Sequence, residues 1–262
     1  MCFRGLSYLP VFLVITSFAT FIVSYIIAIL RKDVFPLFPY ISDTGTHPPE
    51  SCIFGQFLNI SAALGIATMY VRYKLVSQIC IGENRKLVYL NRAGLVVGIL
   101  SSLGLSMVAN FQETNLEVVH VTGAAMVLGF GVVYSFIQTA LSYHMHPDYN
   151  GLKICRIRLL ISFIAFIAMV ITIVSAIISR IQVNDHVDKR KWKPEDEGFE
   201  AHIVSTISEW VTSVAFLLFF YTFIRDFQKV KIGMVATVLV RHLDVDPENV
   251  IAERIDEKQP LL

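Results

Sequence analysis

Six stretches of about 20 apolar residues fill this chain, and almost nothing between them is long enough to form a soluble domain. They run over approximately 8–30, 52–70, 93–108, 118–141, 157–179 and 203–224. A helix rises about 1.5 Å per residue and a bilayer core is about 30 Å thick, so each stretch spans a membrane or nearly does. In lipid, backbone polar groups are satisfied only in helices or closed barrels. Barrel strands would be about half as long and would alternate in polarity. The reading is an all-α polytopic membrane protein: a six-helix bundle over residues 1–230, followed by a tail over 231–262.

Composition agrees. Of 262 residues, 55% are hydrophobic and only 16% charged, where a soluble domain carries roughly a quarter. The net charge of +1 offers no basic field for nucleic acid. Four cysteines, Cys2, Cys52, Cys80 and Cys155, show no zinc-type spacing, and no metal or cofactor is expected. The first apolar run lacks a small-residue cleavage site and is longer than a signal-peptide core, so it reads as a retained span.

Basic residues set the orientation. With six spans, the N-terminus, the second and fourth connections and the tail share one side. That side holds fifteen of the 22 lysines and arginines, including Arg72, Lys74, Lys153, Arg158, Arg225 and Lys229. The other side holds seven, beside eleven acidic residues. Both termini are therefore expected in the cytosol, although Arg31, Lys32 and the 189–193 run sit on the opposite side.

The connection over 31–51 is stiffened by Pro36, Pro39, Pro48 and Pro49, which fix their own φ and bias the preceding residue toward extended geometry. Ser42-Asp43-Thr44-Gly45 has turn chemistry, and Phe35, Phe38 and Tyr40 suit a membrane interface. A single Asp-Thr-Gly triplet does not make an aspartic protease, which needs two carboxylates sharing a proton. In the third stretch Gly94, Gly98, Ser102, Ser106 and Asn110 recur every four residues. Their small face is expected to pack inside the bundle, with dimerisation as the alternative.

Polar groups within spans carry the functional expectation, because an ionisable side chain at a span's centre costs roughly 2.5–3.5 kcal/mol on insertion scales. His202, Ser205, Glu209 and Thr212 form one stripe on the sixth span, with Glu209 about 10 Å deep. Asn59, Asn110 and His120 lie in the same half of the membrane. These groups can converge on a ligand, proton or lipid-headgroup pocket, or form a hydrogen-bonded network that fixes registry. Neither a GxGxxG, a Walker loop, an HExxH nor a GxSxG is present, and no catalytic residue is assigned. The pair His144 and His146 lacks a third firm metal ligand. Cys155, beside Arg156 and Arg158, stands in a context that permits palmitoylation.

The chain ends Glu257-Lys258-Gln259-Pro260-Leu261-Leu262. This resembles an acidic dileucine sorting signal, with Glu257, Leu261 and Leu262 read by a clathrin adaptor on endosomal and lysosomal membranes.

Several segments together resemble the damage-regulated autophagy modulator (DRAM) family of six-span proteins, over roughly residues 5–230. They are Leu37-Phe38-Pro39-Tyr40-Ile41-Ser42-Asp43-Thr44-Gly45-Thr46 with Pro49-Glu50; Ala67-Thr68-Met69-Tyr70-Val71-Arg72-Tyr73-Lys74; Val108-Ala109-Asn110-Phe111-Gln112; His120; Ser208-Glu209-Trp210; and Phe223-Ile224-Arg225-Asp226-Phe227-Gln228. The resemblance implies a lysosomal multi-pass protein that promotes autophagy and is linked to stress and cell death, without established catalytic residues. The expected function is thus a non-enzymatic regulator acting through membrane lipids, the adaptor and autophagy or lysosomal membrane proteins. Late endosome, Golgi or plasma membrane are the alternative locations. A proton-coupled transporter using the Glu209 stripe is the runner-up, and a lipid-remodelling enzyme comes third.

Overall fold

The computed structural model describes residues 5–79, 85–183, 191–231 and 233. Within the unit Met1–Val230 the described residues are helical, without strands: α1 Tyr8–Arg31, α2 Glu50–Ile79, α3 Arg85–Asn110, α4 Glu117–His144, α5 Leu152–Gln182, α6 Phe199–Tyr221 and the short α7 Ile224–Phe227. Six helices are long and apolar enough to cross a membrane, the last being α6 continued through α7. Each helix packs on its neighbour in sequence, and α6 closes back on α1, so the six form a ring.

The helices are inside out relative to soluble ones. On α5 the buried positions are Cys155, Arg158, Ser162, Ala165, Ala168, Thr172, Ser175 and Ser179, at spacings of three and four. Its exposed positions are large and apolar, among them Leu160, Phe163, Ile167 and Ile171. Lipid accepts the large side chains, while small residues let helix backbones approach. Buried hydroxyls are satisfied locally: Thr139, Ser142, Ser162, Thr172 and Thr212 each donate to the carbonyl four residues back, which suits a core that offers them no water.

Glycines set the closest approach. A Cβ on Gly104 would lie 2.6 Å from Met126 Cβ, and one on Gly123 would lie 3.0 Å from the Gly104 carbonyl. Gly94 faces Ile137 and Gln138, and Gly98 faces Met69 and Tyr134. The small face of α3 therefore meets α2 and α4 of its own chain. At the start of α6, Gly198 holds φ +84°, where a side chain would also meet the Ser179 carbonyl at 2.9 Å.

The helices α2 to α5 all run beyond their apolar stretches, which moves residues from connections into the bundle. Arg72 lies inside α2 and Arg158 inside α5, both fully buried. Reading them as loop charges on one face is corrected accordingly. Cys155 is also fully buried, its Sγ donating to the Ser142 carbonyl at 3.3 Å, so the thiol does not face an acylating enzyme.

Candidate functional site

The connection between α1 and α2 folds onto the bundle instead of lying at the interface. Val34 and Ile41 are buried, and Ile41 joins Phe21, Phe54, Leu58, Ala109 and Leu217 in a core cluster. Asp43–Gly45 forms a 3-10 turn. Thr44 donates to the Ile41 carbonyl at 2.7 Å and accepts from Ser24 at 2.9 Å. Tyr40 is turned inward, contrary to its reading as an interface residue. The indole of Trp210 donates to the Pro39 carbonyl at 3.0 Å, and the Ile41 amide donates to Glu209 Oε2 at 2.8 Å. The connection thereby supplies the partners that the α6 stripe needs inside the membrane.

Below this connection, between α4, α5 and α6, lies a cleft of about 390 Å³, lined by Tyr40, Asp43, Glu113, His120, His202 and Glu209 among others. Its volume is in the range of small-molecule sites. His202 is wedged between Trp192, stacked at 4.5 Å, and the edge of Tyr40 at 5.1 Å. His120 Nδ1 sits 2.6 Å from the Phe111 carbonyl. Since a carbonyl only accepts, Nδ1 carries the hydrogen and Nε2 holds the lone pair when the ring is neutral. Burial, with Glu209, Asp43 and Glu113 adding to it, pushes the Tyr40 phenol well above its ordinary pKa. It stays a donor, to Ser205 Oγ at 2.7 Å.

The Ser205 hydroxyl accepts from Tyr40 and donates to the Thr172 carbonyl at 2.8 Å, which links the connection to α5 and α6. Among the described residues no three His, Cys, Asp or Glu side chains converge to hold a metal ion. At the cleft mouth Arg180 pairs with Glu113 at 3.0 Å and Glu117 at 2.9 Å.

The five intramembrane residues singled out in the sequence fall into two groups. His120, His202 and Glu209 line the cleft. Asn59 and Asn110 instead exchange amide bonds with each other, at 3.0 and 3.1 Å, and Asn59 also accepts from Ser106 at 2.7 Å. That pair ties α2 to α3. Glu257, Leu261 and Leu262 lie outside the described residues.

The sequence reading missed the strongest electrostatic feature, at the opposite end of the ring. Arg72 and Arg158, each 0% exposed, converge on Asp226, 7% exposed. Both donate to Asp226 Oδ2, at 2.9 and 2.7 Å. Gln138 and Ser142 complete the bonding of Arg72, and Ser142 with Thr222 that of Arg158. The Phe223 ring lies 5.0 Å from one guanidinium carbon and 4.9 Å from the other, a cation–π contact worth about 2 kcal/mol when desolvated. Tyr149 donates to the Asp226 carbonyl at 2.9 Å, its phenol pKa raised by burial and then by Asp226. Arg72 and Asp226 both stand in segments quoted above, but residues 154 positions apart give no local sign of pairing.

Comparison with known proteins returns the same picture over nearly the whole chain. DNA damage-regulated autophagy modulator protein 2 of Mus musculus is 50% identical over 238 residues, covering 90% of this chain and 88% of that protein. DNA damage-regulated autophagy modulator protein 1 of Homo sapiens is 43% identical over 235 residues, covering 88% and 94%. The modulator of macroautophagy TMEM150B-B of Xenopus laevis is 33% identical over 190 residues, 72% of this chain and 71% of that one. No solved structure matches. With the Frag1/DRAM/Sfk1/Cwh43P N-terminal domain matching residues 5–230, six spanning helices and these relatives, the chain belongs to the Frag1/DRAM/Sfk1/Cwh43P family and is a multi-pass membrane protein of the DRAM type.

Proposed function

We propose that this protein is a non-enzymatic regulator in the lysosomal membrane that promotes autophagy. The observation that carries the reading is identity of 43–50% across about nine-tenths of the chain to proteins named autophagy modulators. In this reading both termini face the cytosol and the Glu209 cleft faces the lumen, where it engages a lipid or the segment of a membrane partner.

Charge pairing supports that orientation. At the cleft end Arg31 is paired with Asp33 at 3.4 Å and approaches Glu50 at 3.8 Å, and Arg180 is paired with two glutamates. At the α7 end, Lys153, Arg156, Arg225 and Lys229 have no carboxylate partner among the described residues. Lys32, Lys191 and Lys193 at the cleft end also lack an ion pair among the described residues, but the larger set of unpaired cations lies at the α7 end, and it is the kind retained on the cytosolic face.

The test is disruption of the gene and rescue. Lysosome-dependent turnover of autophagosomes should fall in cells lacking the protein and return with the wild-type chain. Unchanged turnover would overturn the reading. For the address, Leu261→Ala/Leu262→Ala should move the protein from lysosomes to the cell surface or Golgi, because each leucine buried on an adaptor contributes roughly 1.5–3 kcal/mol before ordering costs. Glu257→Ala should do so more weakly.

The position of Glu209 in the cleft lining favours one second reading, acid-driven transport. That predicts solute flux in proteoliposomes that Glu209→Gln abolishes, whereas a binding cleft keeps its regulatory activity in that variant.

A further inference from the structure

Beside the buried triad, at the α7 end, a cavity of about 560 Å³ opens between the start of α5 and α7. Its charged wall is one-sided. Lys153, Arg225 and Lys229 line it, and the one carboxylate present, Asp226, is already bonded by two guanidiniums and by Asn150 Nδ2 at 3.4 Å. Two arginines against one aspartate leave the triad at +1, so Asp226 does not repel an anion here. Burying an excess charge is costly, and an anion in the adjoining cavity offsets it.

Two further features point to a ligand. Asn150, 2% exposed, lines the cavity, and its Oδ1 has no hydrogen-bond partner. An acceptor buried without a partner is expensive, and it fits a headgroup hydroxyl or a protonated phosphate oxygen. Next to it α5 begins at Gly151 without a side-chain cap, presenting amide donors and the positive end of a helix to the same space. A second pocket of about 290 Å³ shares Lys153 and Ile157 with this cavity and runs along α5 to Leu160, which is 62% exposed. A polar, cationic mouth that runs onto a lipid-facing apolar surface has the shape of a phospholipid, not of a free anion.

We propose that this cavity binds the phosphate group of an anionic lipid headgroup, with Lys153, Arg225 and Lys229 as the cationic contacts, Asn150 as the acceptor and the acyl chains lying on α5. The site is distinct from the Glu209 cleft and does not depend on which cellular membrane holds the protein.

The experiment titrates full-length protein in detergent micelles with fluorescent phosphatidic acid, against phosphatidylcholine with the same chains and label. Phosphatidic acid should bind more tightly. A cation near a lipid headgroup contributes about fivefold in affinity, so Arg225→Ala should weaken binding about fivefold and Lys153→Glu/Lys229→Glu about 25-fold or more. Lys74→Glu changes an exposed cation outside the cavity and should leave binding unchanged. All four residues are exposed, so melting temperatures should hold; Lys153→Ala and Lys229→Ala serve if the reversal does not fold. Equal binding of the two lipids, or equal loss in Lys74→Glu, would overturn the site. Displacement of the probe by inorganic phosphate alone would overturn the lipid as its occupant.

Discussion

The two ends of the helix ring solve the same electrostatic problem in opposite ways. At the cleft end the arginine pairs stay near water: Arg31 and Arg180 are about half exposed and pair with neighbouring carboxylates, while Asp43, His120 and His202 are buried behind them and Glu209 is held by one backbone amide. At the α7 end, two guanidiniums and a carboxylate are withdrawn from solvent, with hydroxyls, an amide and an aromatic ring completing the shell. An exposed pair exchanges little free energy with water and can rearrange around a ligand. A buried triad is rigid, because removing any member strands an uncompensated charge. The α7 end therefore holds α2, α5 and α7 in register, while the exposed pairs at the cleft mouth are free to adapt.

The largest expected effect tests the rigid end. Asp226→Asn leaves Arg72 and Arg158 facing each other without a counter-charge and should cost about 3–5 kcal/mol, read as a large fall in melting temperature or loss of folded protein in detergent. A melting temperature within a few degrees of wild type would mean that water enters the triad and that the contrast drawn here is overstated.

Next comes the α3–α4 contact. Gly104→Leu drives a side chain into Met126 and the Gly123 carbonyl and should destabilise by about 1–3 kcal/mol or more. Gly129→Leu, on the partner helix α4 with open space at its Cβ, should be nearly silent in the same melt. Equal behaviour of the two would show that the close approach is not what holds α3 to α4.

At the adaptable end the effects should be smaller. Glu209→Leu removes the acceptor of the Ile41 amide and should cost about 1–3 kcal/mol, while Glu209→Gln keeps an acceptor and most of that stability. Rescue assays then separate the roles, since a registry contact tolerates Gln and a proton site does not. Glu195→Leu, in the exposed connection before α6, should stay within about 0.5 kcal/mol. Silence of Glu209→Leu in both melting and rescue would remove the cleft from consideration.

Apart from the controls Gly129→Leu and Glu195→Leu, the smallest effect belongs to the cleft mouth. Arg180→Ala breaks two exposed pairs and should cost at most about 1 kcal/mol, vanishing in high salt. A salt-independent loss as large as that of Asp226→Asn would erase the distinction between the two ends.

The six spans were legible because apolar length is a local property: a run of about 20 residues must be helical in lipid whatever surrounds it. The small face of α3 was equally legible, since Gly94, Gly98 and Ser102 fall on one side of any helix built from that sequence. The α6 stripe was readable as a stripe for the same reason, but not its partners. Glu209 meets the Ile41 amide 168 positions away, and no periodicity encodes which backbone donor a folded-back connection delivers. Asn59 and Asn110 shared a membrane half with the cleft residues and still turned to each other, because depth along a bundle does not specify azimuth around it.

Charge was where local reading went furthest astray. Arg72 lies just past one apolar run and Arg158 at the very start of another, which in a linear sequence marks a membrane edge. The helices extend beyond those runs, and Asp226, Gln138, Ser142 and Thr222 supply the hydrogen bonds that make burial tolerable. The sequence by itself therefore determined that this is a six-span helical membrane protein and which helix faces are small or polar. Only the tertiary structure decided which of those faces meet, which charges leave water and where cavities remain, because each depends on partners contributed by distant helices once the ring has closed.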